Sequence, residues 1–535
     1  MKKTSKKHAS VPTYNSPKQL SLDCFKSPFD QQLNTQNRWI VLAKLIPWDE
    51  ICNLYLKNTG ASNSGRPPLN PRLVIGSLII KHLCNLDDRE TVDQISENIY
   101  MQYFLGYTSF SSEPPFDASL FVEFRKRLGM DNVNAINEKI VSLRNQPNIN
   151  EKDEGTRKKD NEEQKETNNN DPCPANKGKV IFDATACPQD IAYPTDLDLL
   201  SCSRDKSEEL IDILYNPSLH THKPRTYREV ARKRYLQTAQ KKNKSRKEIR
   251  KAVGSQLRFL KRNLNSINHL LDHYTTIPLN PKQHKYLLVI NTVYEQQKQM
   301  YDQHVHSIEN RIVSIHQPHV RPIVRGKSQA KVEFGSKIHV SLVDGIAYLD
   351  QLSWNAFNEG FHMMDYVEQF KRRFGFYPAQ LLADQIYCTR TNRLWLKEKG
   401  IKLLAKPLGR PSAVQVHVSP GERNPIEGKF GQAKTGYGLN RIKARLKGTS
   451  ETWIASIILV LNLVKLAGEA LLSPIVKWFE NISSTLLSKN MSTRKVNFLL
   501  NLFLIENMQF SGKLSFSADP TYIFCWGFEK NIFKT

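Results

Sequence analysis

A polar stretch from residue 146 to 178 constrains the fold most, because it contains almost no apolar side chains. Its sequence, QPNINEKDEGTRKKDNEEQKETNNNDPCPANKG, carries charges of both signs and many asparagines. Such a segment cannot bury enough apolar surface to offset the entropy lost on ordering, so we predict a disordered linker. The chain of 535 residues is too long for one compact core, and this linker divides it into at least two domains.

The region before the linker, residues 37–145, shows apolar side chains at spacings of three and four, which predicts an all-α domain. Pro71 follows Asn70 there, and this pair is typical of a helix N-cap followed by the first helical residue. The segment DDRETVDQISENIYMQYFLGYTSF has two interpretations: a helix that reads the DNA major groove, or the plain core of three packed helices. Residues 1–36 form a basic tail without the apolar stretch of a secretory signal.

After the linker the apolar pattern becomes that of strands and helices in alternation. KVIFDATACP is a short apolar run, and two alternating segments flank Asp344-Gly345, a strong hairpin turn. A helix, a strand, a helix and a strand follow, and a long helix begins near Pro425. This order predicts an α/β domain with a mixed sheet over residues 179–470. Residues 471–535 carry no interpretable motif.

A segment of different composition, residues 204–330, interrupts the α/β pattern. Apolar residues step by three and four from 249 to 271 and again from 287 to 312, which predicts an antiparallel coiled hairpin. Its leading part, 221–262, holds 16 lysines and arginines against two glutamates. We interpret this excess as a phosphate-binding surface, with a solvated helix face as the alternative. The candidate DNA-binding residues here are Arg232, Lys233 and Arg234.

The net charge of +25 favours a polyanionic partner, and both nucleic acid and an anionic membrane qualify. The most apolar segment, 454–472, carries Asn462, Lys465 and Glu469, which favours a buried core helix over a membrane span. The eight cysteines include no CxxC spacing, so neither a disulfide framework nor a zinc site is predicted. We therefore expect a cytoplasmic protein.

Three acidic residues stand where strand ends and a helix start would bring them together. Asp183 ends the apolar run VIFD, Asp384 ends LLAD, and Glu427 occupies the first turn of a predicted helix. Converging carboxylates repel unless a cation lies between them, and hard oxygen ligands select Mg²⁺ or Mn²⁺. Two such ions could activate a water or a 3′-hydroxyl on one side of a phosphorus atom and stabilise the leaving oxygen on the other. Such a site cuts or rejoins phosphodiesters.

Each of the three acids also has a purely structural interpretation. Asp183 and Asp384 are equally typical of turn residues that follow strands. Glu427 suits the N3 position of a capping box in which Asn424 is the N-cap and Pro425 the first helical residue. The residue types alone leave both interpretations open.

Other residues near these acids are informative in different ways. Four glycines around Glu427 would each cost ~1 kcal/mol inside an ordinary helix, and they suit close approach by a nucleic-acid backbone. Asp344 and Asp350 are weaker site candidates, because a hairpin turn explains the first and an exposed hairpin edge explains the second. The glycines are Gly428, Gly431, Gly436 and Gly438.

Several of these motifs occur in an order that resembles a known family. DATACPQDIAYPTDLDLL contains Asp183, ADQIYCTRTNRLWL contains Asp384, and Arg423, Glu427 and Lys434 follow at spacings of four and seven. Together they resemble the DDE transposases of bacterial insertion sequences. RPPLNPRLVIGSLIIKHLCNLDDRETVDQISENIYMQYFLGY resembles the helical N-terminal domain of one large group of them. The resemblance runs from about residue 37 to 470.

The resemblance implies an RNase H-like fold in which Asp183, Asp384 and Glu427 form the catalytic, metal-binding triad. Two Mg²⁺ or Mn²⁺ ions would be the cofactors. Arg423 and Lys434 would steady the glutamate and the phosphates of the transposon end. The basic coiled segment would serve as an end-binding or dimerising arm.

The implied activity is that of a DNA transposase that binds terminal inverted repeats, cleaves DNA strands and joins them to a target. A homodimer or larger synaptic oligomer, acting at the bacterial nucleoid, is expected. Arg325 and Lys327, in the basic stretch RPIVRGKSQAK, are further candidates for phosphate contact. Two alternatives are a catalytically inactive repressor that still binds DNA, and a general RNase H-like nuclease or resolvase.

Overall fold

The computed structural model describes residues 33–58, 69–144, 176–324, 332–405 and 420–488. The predicted linker lies outside these residues up to 175, as does the basic tail up to 32. Residues 489–535, most of the C-terminal region, and the candidates Arg325 and Lys327 also lie outside them. The chain divides into two compact units, Met1–Ala467 and Gly468–Thr535. The sheet and every helix that ends before residue 447 belong to the first unit.

The N-terminal region is helical. Asn70 accepts a hydrogen bond from the Arg72 N–H, and Pro71 occupies the first turn, which confirms the predicted helix start. Asn85 in the left-handed conformation (φ 53°) ends the same helix. The elements are α1 (Arg38–Leu45), α2 (Trp48–Asn58), α3 (Pro71–Cys84), α4 (Asp88–Glu97), α5 (Ile99–Leu105) and α6 (Leu120–Arg144).

These helices and the sheet share one hydrophobic core, since a single cluster of buried side chains contains residues of both. A buried polar group strengthens the connection. Lys81 and Arg125 both bind Asp88 at 2.9 Å, and both cations lie over the ring of Trp453, far along the chain. Burial of paired charges of this kind fixes the helices to one position.

Six strands of the described residues form one mixed sheet. β1 lies inside it, antiparallel to β3 on one side and parallel to β5 on the other, and β6 extends the sheet in parallel beyond β5. β2 and β4 share the other edge of β3, pairing with residues 332–335 and 337–343 respectively. The predicted α/β class is therefore confirmed. The strands are β1 (Lys179–Pro188), β2 (Arg321–Val324), β3 (Val332–Val343), β4 (Ile346–Ser353), β5 (Gln380–Leu382) and β6 (Lys402–Leu404).

The hairpin between β3 and β4 turns at Asp344 (φ 48°) and Gly345 (φ 75°), as predicted. Two successive left-handed residues are the signature of a type I′ turn. The predicted exposure of Asp350 is wrong, because its side chain is 0% exposed and binds Arg373 and His339. Arg373 belongs to α11 (Met363–Phe374), which covers this face of the sheet and is followed by α12 (Arg390–Glu398).

The chain between β1 and β2 forms four helices instead of the predicted two-helix hairpin. The first helix starts before the predicted boundary at 204, and β2 pairs in the sheet although the prediction placed it in the insertion. The apolar side chains of the first helix pack against those of the third. The first helix was missed in the sequence because many polar residues separate its apolar ones. The helices are α7 (Asp196–Leu214), α8 (Arg228–Ala239), α9 (Arg246–Leu271) and α10 (Pro281–Gln303).

The prediction of one long helix from Pro425 is wrong, because two helices occupy this region. α13 (Asn424–Gly436) ends before Gly438, which has φ 72°, and α14 (Lys447–Ser488) begins after a segment that contains one isolated β-bridge, at Ile442. Residues Lys447–Glu469 are long and apolar enough to cross a membrane. However, 78% of this stretch is buried inside the protein, as expected of a core helix.

Asn462 fixes α14 to the sheet and to α6. Its amide is fully buried, accepts from the Ala347 N–H at 2.8 Å, and donates to the Ala347 carbonyl at 2.7 Å and to Asn137 Oδ1 at 2.8 Å. We expect Asn462→Ala to lower the free energy of unfolding by about 1–3 kcal/mol, because its partners would stay buried without hydrogen bonds. Urea denaturation measures this, with the exposed Asn355→Ala as control. Equal midpoints for the two variants would contradict the assigned role.

Candidate active site

Asp183 and Asp384 lie level with each other on neighbouring parallel strands. Ile181 of β1 is opposite Leu382 of β5, and each aspartate comes two residues later. Asp183 does not end its strand as predicted, because pairing with β3 carries β1 on to Pro188. β1 has a parallel neighbour on one side and an antiparallel neighbour on the other, and ligand sites commonly form where the strand order changes in this way.

Arg423 joins the two aspartates. Its Nη1 donates to Asp384 Oδ1 at 3.2 Å, and its Nη2 lies 3.9 Å from Asp183 Oδ2. Each carboxylate also accepts from the next backbone N–H, that of Ala184 or Gln385, at 2.8 Å. The Asp183 and Arg423 side chains are 24% and 22% exposed, whereas Asp384 is 57% exposed. Two carboxylates therefore converge on one cation at the end of β5.

The electrostatic surroundings disfavour the ionised form of Asp183. Burial raises the pKa of its carboxyl above the ordinary 3.8, and the carboxylates of Asp384 and Glu359 raise it further. The Ala184 N–H and the Arg423 guanidinium act in the opposite direction without cancelling the rise. An additional cation would stabilise the ionised carboxylate. A perturbed acid beside a second acid is typical of functional sites.

Glu427 stands apart from this pair. Arg423, not Asn424, occupies the N-cap of α13, and its side chain caps none of the first-turn N–H groups. The capping-box interpretation is therefore wrong, and Glu427 is an exposed residue at the fourth helical position. Among the described residues, no three His, Cys, Asp or Glu side chains lie close enough to hold one metal ion. The structure thus brings two of the three predicted acids together.

The position of Glu427 depends on how α13 packs. Ile426, Phe430 and Ala433, at spacings of four and three, are buried in the core beside β1. The packing fixes the rotation of α13 about its axis. Glu427 follows Arg423 by four residues, so it lies one helical turn beyond Arg423 on the same side of the helix. The third predicted carboxylate, Glu427, therefore lies one turn along the helix whose N-cap, Arg423, binds the two aspartates.

The solvent side of α13 is unusually bare. Gly428, Gly431 and Gly436 are exposed, and a methyl group added at any of them would meet no atom within 4 Å. These glycines therefore do not serve internal packing. Lys434, two turns after Glu427, is half-buried on the same helix. A phosphate backbone can approach such a helix closely.

Glu359 is a charged neighbour of the aspartates that the sequence interpretation missed. Its carboxylate is 12% exposed and binds Lys337 Nζ at 2.6 Å. Asn392 fixes this turn to the adjacent one by donating to the Gly360 carbonyl at 2.7 Å and to the Tyr387 carbonyl at 2.9 Å. No motif marks Glu359, because only folding makes it a neighbour of the pair.

Tyr387, three residues after Asp384, supports the site from below. Its ring is buried against Phe182 and His339. Burial raises the pKa of its hydroxyl well above the ordinary 10.0, so the phenol stays neutral at physiological pH. The ring of Tyr387 therefore packs beneath Asp183 as part of the core.

The carboxylates of Asp183 and Asp384 suit a divalent cation. They are hard oxygen donors, they face one positive group, and Asp183 is destabilised in its ionised form. This donor chemistry matches Mg²⁺ or Mn²⁺, which bind through one or two carboxylates and retain waters. Arg423 supplies the positive charge in the present arrangement.

The candidate DNA-binding residues of the insertion are exposed side chains of α8. Arg232, Lys233 and Arg234 all face solvent, and the guanidinium of Arg234 lies 5.6 Å from the ring centroid of Phe259 on α9. They belong to the helical insertion and not to the carboxylate pair.

Two family models match the chain. One, described as a transposase domain (DUF772), matches residues 27–127 in the helical region, and another, described as a transposase DDE domain, matches residues 381–464. The second range contains Asp384, Arg423, Glu427 and Lys434. The chain belongs to the DDE transposases of insertion sequences.

A curated relative of the transposase is an uncharacterized protein, ORF8 in the nfe locus, from Rhizobium meliloti. The two chains are 30% identical over 177 residues, which cover 32% of the transposase and 72% of the relative. No solved structure matches. β1 and Asp183 lie outside both family-model ranges, so Asp183 is associated with the DDE segment by the order of the sequence motifs and by the folded geometry.

Proposed function

We propose that this transposase binds the terminal inverted repeats of its element and catalyses strand cleavage and strand transfer with two Mg²⁺ or Mn²⁺ ions. The observation that supports this most is the convergence of Asp183 and Asp384 on one cation. The strand order β4–β3–β1–β5–β6, with an acid on the inner strand β1, supports an RNase H-like catalytic core.

The bound ions would activate the attacking water or 3′-hydroxyl and stabilise the leaving oxygen. Asp183 and Asp384 would hold them, with Glu427 as the third ligand from the adjacent turn of α13. Water attacks the element end first, and the freed 3′-hydroxyl then attacks target DNA. No covalent enzyme intermediate is required, because in-line displacement needs positioning and charge stabilisation only.

DNA would approach the site across the bare side of α13. The exposed glycines permit close contact with a phosphate backbone, and Arg423 and Lys434 would contact phosphates there. The helical insertion would add phosphate contacts through Arg232, Lys233 and Arg234, and Arg325 and Lys327 would do so beside the sheet. Two element ends must meet, so a homodimer or larger synaptic oligomer would act in the cytoplasm at the nucleoid.

A second candidate is a catalytically inactive, DNA-binding repressor. Arg423 neutralises the aspartate pair, and Glu427 does not join it in this conformation. A chain locked in this state would bind element ends without cutting them.

The distinguishing experiment is nicking of a duplex that carries the element end, in the presence of Mg²⁺. We expect Glu427→Gln to reduce the nicking rate by at least about 100-fold, because it removes charge stabilisation of the transition state. The control is Glu422→Gln, five residues earlier, whose carboxylate forms a half-exposed ion pair with Lys179 at 2.9 Å. A surface pair contributes at most about 1 kcal/mol, so this control should retain most of the rate.

Equal nicking by Glu427→Gln and the wild type would refute the proposed role of this acid. End binding by the wild type without any metal-dependent nicking would favour the repressor. Nicking that ignores the end sequence would favour a general nuclease.

A further inference from the structure

The segment between α13 and α14 has an alternating sequence that no site described above uses. RIKARLK, residues 441–447, places a cation at every second position: Arg441, Lys443, Arg445 and Lys447. Ile442 and Ala444, between them, are 0% and 8% exposed. All four cations are exposed. Arg441, Lys443 and Arg445 therefore share the solvent side of the segment; Leu446 is itself 47% exposed, and Lys447 follows as the first residue of α14.

Hydrogen bonds hold this segment to the far end of β1. The Ile442 N–H donates to the Pro188 carbonyl at 2.9 Å, and the Asp190 N–H donates to the Ile442 carbonyl at 3.0 Å. The side chain of Gln189 donates to the Ala444 carbonyl and, at 3.0 Å, to Ser450 Oγ. A backbone anchored at this many points presents its side chains in fixed positions.

The charges along this segment are only partly neutralised. Arg441 binds Asp190 at 2.9 Å, and Lys443 lies near enough to Asp87 to help lower the pKa of that carboxyl, whereas Arg445 and Lys447 act on histidines. Burial lowers the pKa of His316, and Lys206 and Arg445 lower it further. Like charges gathered in this way cost stability, and they are typical of a surface that binds a polyanion.

A second histidine, His319, lies among cations near Lys447, at the C-terminal end of this segment. Burial lowers the pKa of His319 to about 4, with contributions from Lys285, Arg321 and Lys447. These cations come from α10, β2 and the start of α14, so the positive field extends from the segment onto neighbouring elements.

We propose that residues 441–447 form a binding site for the phosphate backbone of duplex DNA. This inference rests on the proposed function and names a contact surface for its DNA substrate. Exposed side chains two residues apart on an extended chain are about 6.6 Å apart, so successive cations can reach successive phosphates. A rigid row of this kind positions DNA without reading its sequence.

The location of the row relative to the aspartates favours DNA over other polyanions. The row is anchored at Pro188, five residues along β1 from Asp183, which is about 17 Å in an extended strand. At about 3.4 Å per base pair, a duplex placed at the aspartates would meet the row roughly five base pairs away. The row would thus hold the DNA that flanks the reacting phosphate.

The test compares two triple variants that change the net charge equally. Lys443→Gln/Arg445→Gln/Lys447→Gln, the row variant, removes three of the four cations and keeps Arg441, and Lys44→Gln/Arg372→Gln/Lys397→Gln removes three exposed cations of α1, α11 and α12. The affinity of the full chain for a fluorescent 30-base-pair duplex of random sequence is measured by anisotropy between 50 and 200 mM salt. Circular dichroism and thermal melting check that both variants fold.

The binding constant K falls as the salt concentration rises, so the slope of log K against log salt is negative. We expect this slope to be shallower by about 2–3 in the row variant, because each lost phosphate contact removes about 0.9 from its magnitude. Its affinity at 100 mM salt should fall by about tenfold or more, with a much smaller loss for the other variant. Equal losses of affinity in both variants would mean that the row contributes only through the net charge, and this would overturn the proposal.

Two further outcomes separate this proposal from others. If the row variant lost binding to anionic phospholipid vesicles while its salt slope on DNA stayed at the wild-type value, the surface would be a membrane site and the proposal wrong. If the wild type bound no duplex at all, the proposed transposition function itself would fail. Wild-type binding with an unchanged slope in the row variant would overturn only the inference about this segment.

Discussion

Replacing Asp183 by Asn should abolish Mn²⁺-dependent cleavage of element-end DNA, by at least about a thousandfold, without destabilising the protein. The activity is lost because an amide cannot supply the anionic oxygen that a hard divalent cation requires. Asp384→Asn should have the same effect on cleavage. Both residues converge on the same positive group, so neither can replace the other.

The expected stability of Asp183→Asn follows from the direction of the pKa shift. Burial, reinforced by Asp384 and Glu359, raises the pKa of Asp183 in the folded chain above its ordinary value. The ionised carboxylate therefore opposes folding at neutral pH, and a neutral amide removes this cost. The variant should melt at the same temperature as the wild type or slightly higher. Loss of function with retained or increased stability is characteristic of a catalytic residue.

Three measurements check this prediction together: the single-turnover cleavage rate, Mn²⁺ binding by electron paramagnetic resonance, and the melting temperature. The control is Asp365→Asn, an aspartate of α11 with a 72% exposed side chain. It should leave all three close to wild type. Normal Mn²⁺ binding by both Asp183→Asn and Asp384→Asn would rule out the carboxylate pair as the metal site.

Replacing Asp350 by Ala should lower the free energy of unfolding by about 3–5 kcal/mol, because it removes one partner of a buried ion pair. The Asp350 side chain is 0% exposed. Its Oδ1 accepts from Arg373 at 2.5 Å, its Oδ2 lies 2.9 Å from His339 Nδ1, and Ser341 donates to the same oxygen. Removal of the carboxylate leaves the Arg373 guanidinium, whose side chain is 15% exposed, with only Glu138 at 2.7 Å and Gln369 at 3.4 Å as partners.

The effect of Asp350→Ala should depend on pH. Burial by itself would raise the pKa of Asp350, but His339, Arg373 and Ser341 hold it below the ordinary 3.8. A lowered pKa contributes stability above the unfolded value of about 3.9, and this contribution is lost as the pH falls through the folded value. The difference between wild type and variant should thus be full at pH 7 and shrink below about pH 4.

Urea denaturation at several pH values tests both parts of this prediction. Asp365→Ala is the matched control, since it removes an exposed aspartate from the same helix that carries Arg373. A loss below about 1 kcal/mol for Asp350→Ala at pH 7 would contradict the assigned role. The network lies beside the candidate site, because the His339 ring packs 5.1 Å from that of Phe182, next to Asp183.

The sequence predicted those elements whose signals are local. The start of α3 at Asn70-Pro71 and the hairpin at Asp344-Gly345 depend on capping and turn chemistry within a few residues. α11 likewise ends at Gly375, which is in the left-handed conformation that favours glycine. Local backbone preferences specify such features directly.

Predictions that depend on distant partners were less accurate. The insertion has four helices where two were predicted. One of them, α7, was missed because its sequence is rich in polar residues, and its apolar face is recognisable only from its packing against α9. Asp350 is buried because α11 brings Arg373 onto the sheet, which no pattern around the hairpin indicates. In both cases the environment of a residue is set by an element far away in the chain.

The sequence alone determined the α/β class, the positive charge, the order of the acidic motifs and the resemblance to DDE transposases, since each is encoded in neighbouring residues or in composition. Only the tertiary structure decided that Asp183 and Asp384 meet at Arg423, that Glu427 stands one turn away, and that Glu359 is their neighbour. The physical reason is the pairing of β1 with β5, which joins residues about 200 positions apart through strand register and burial.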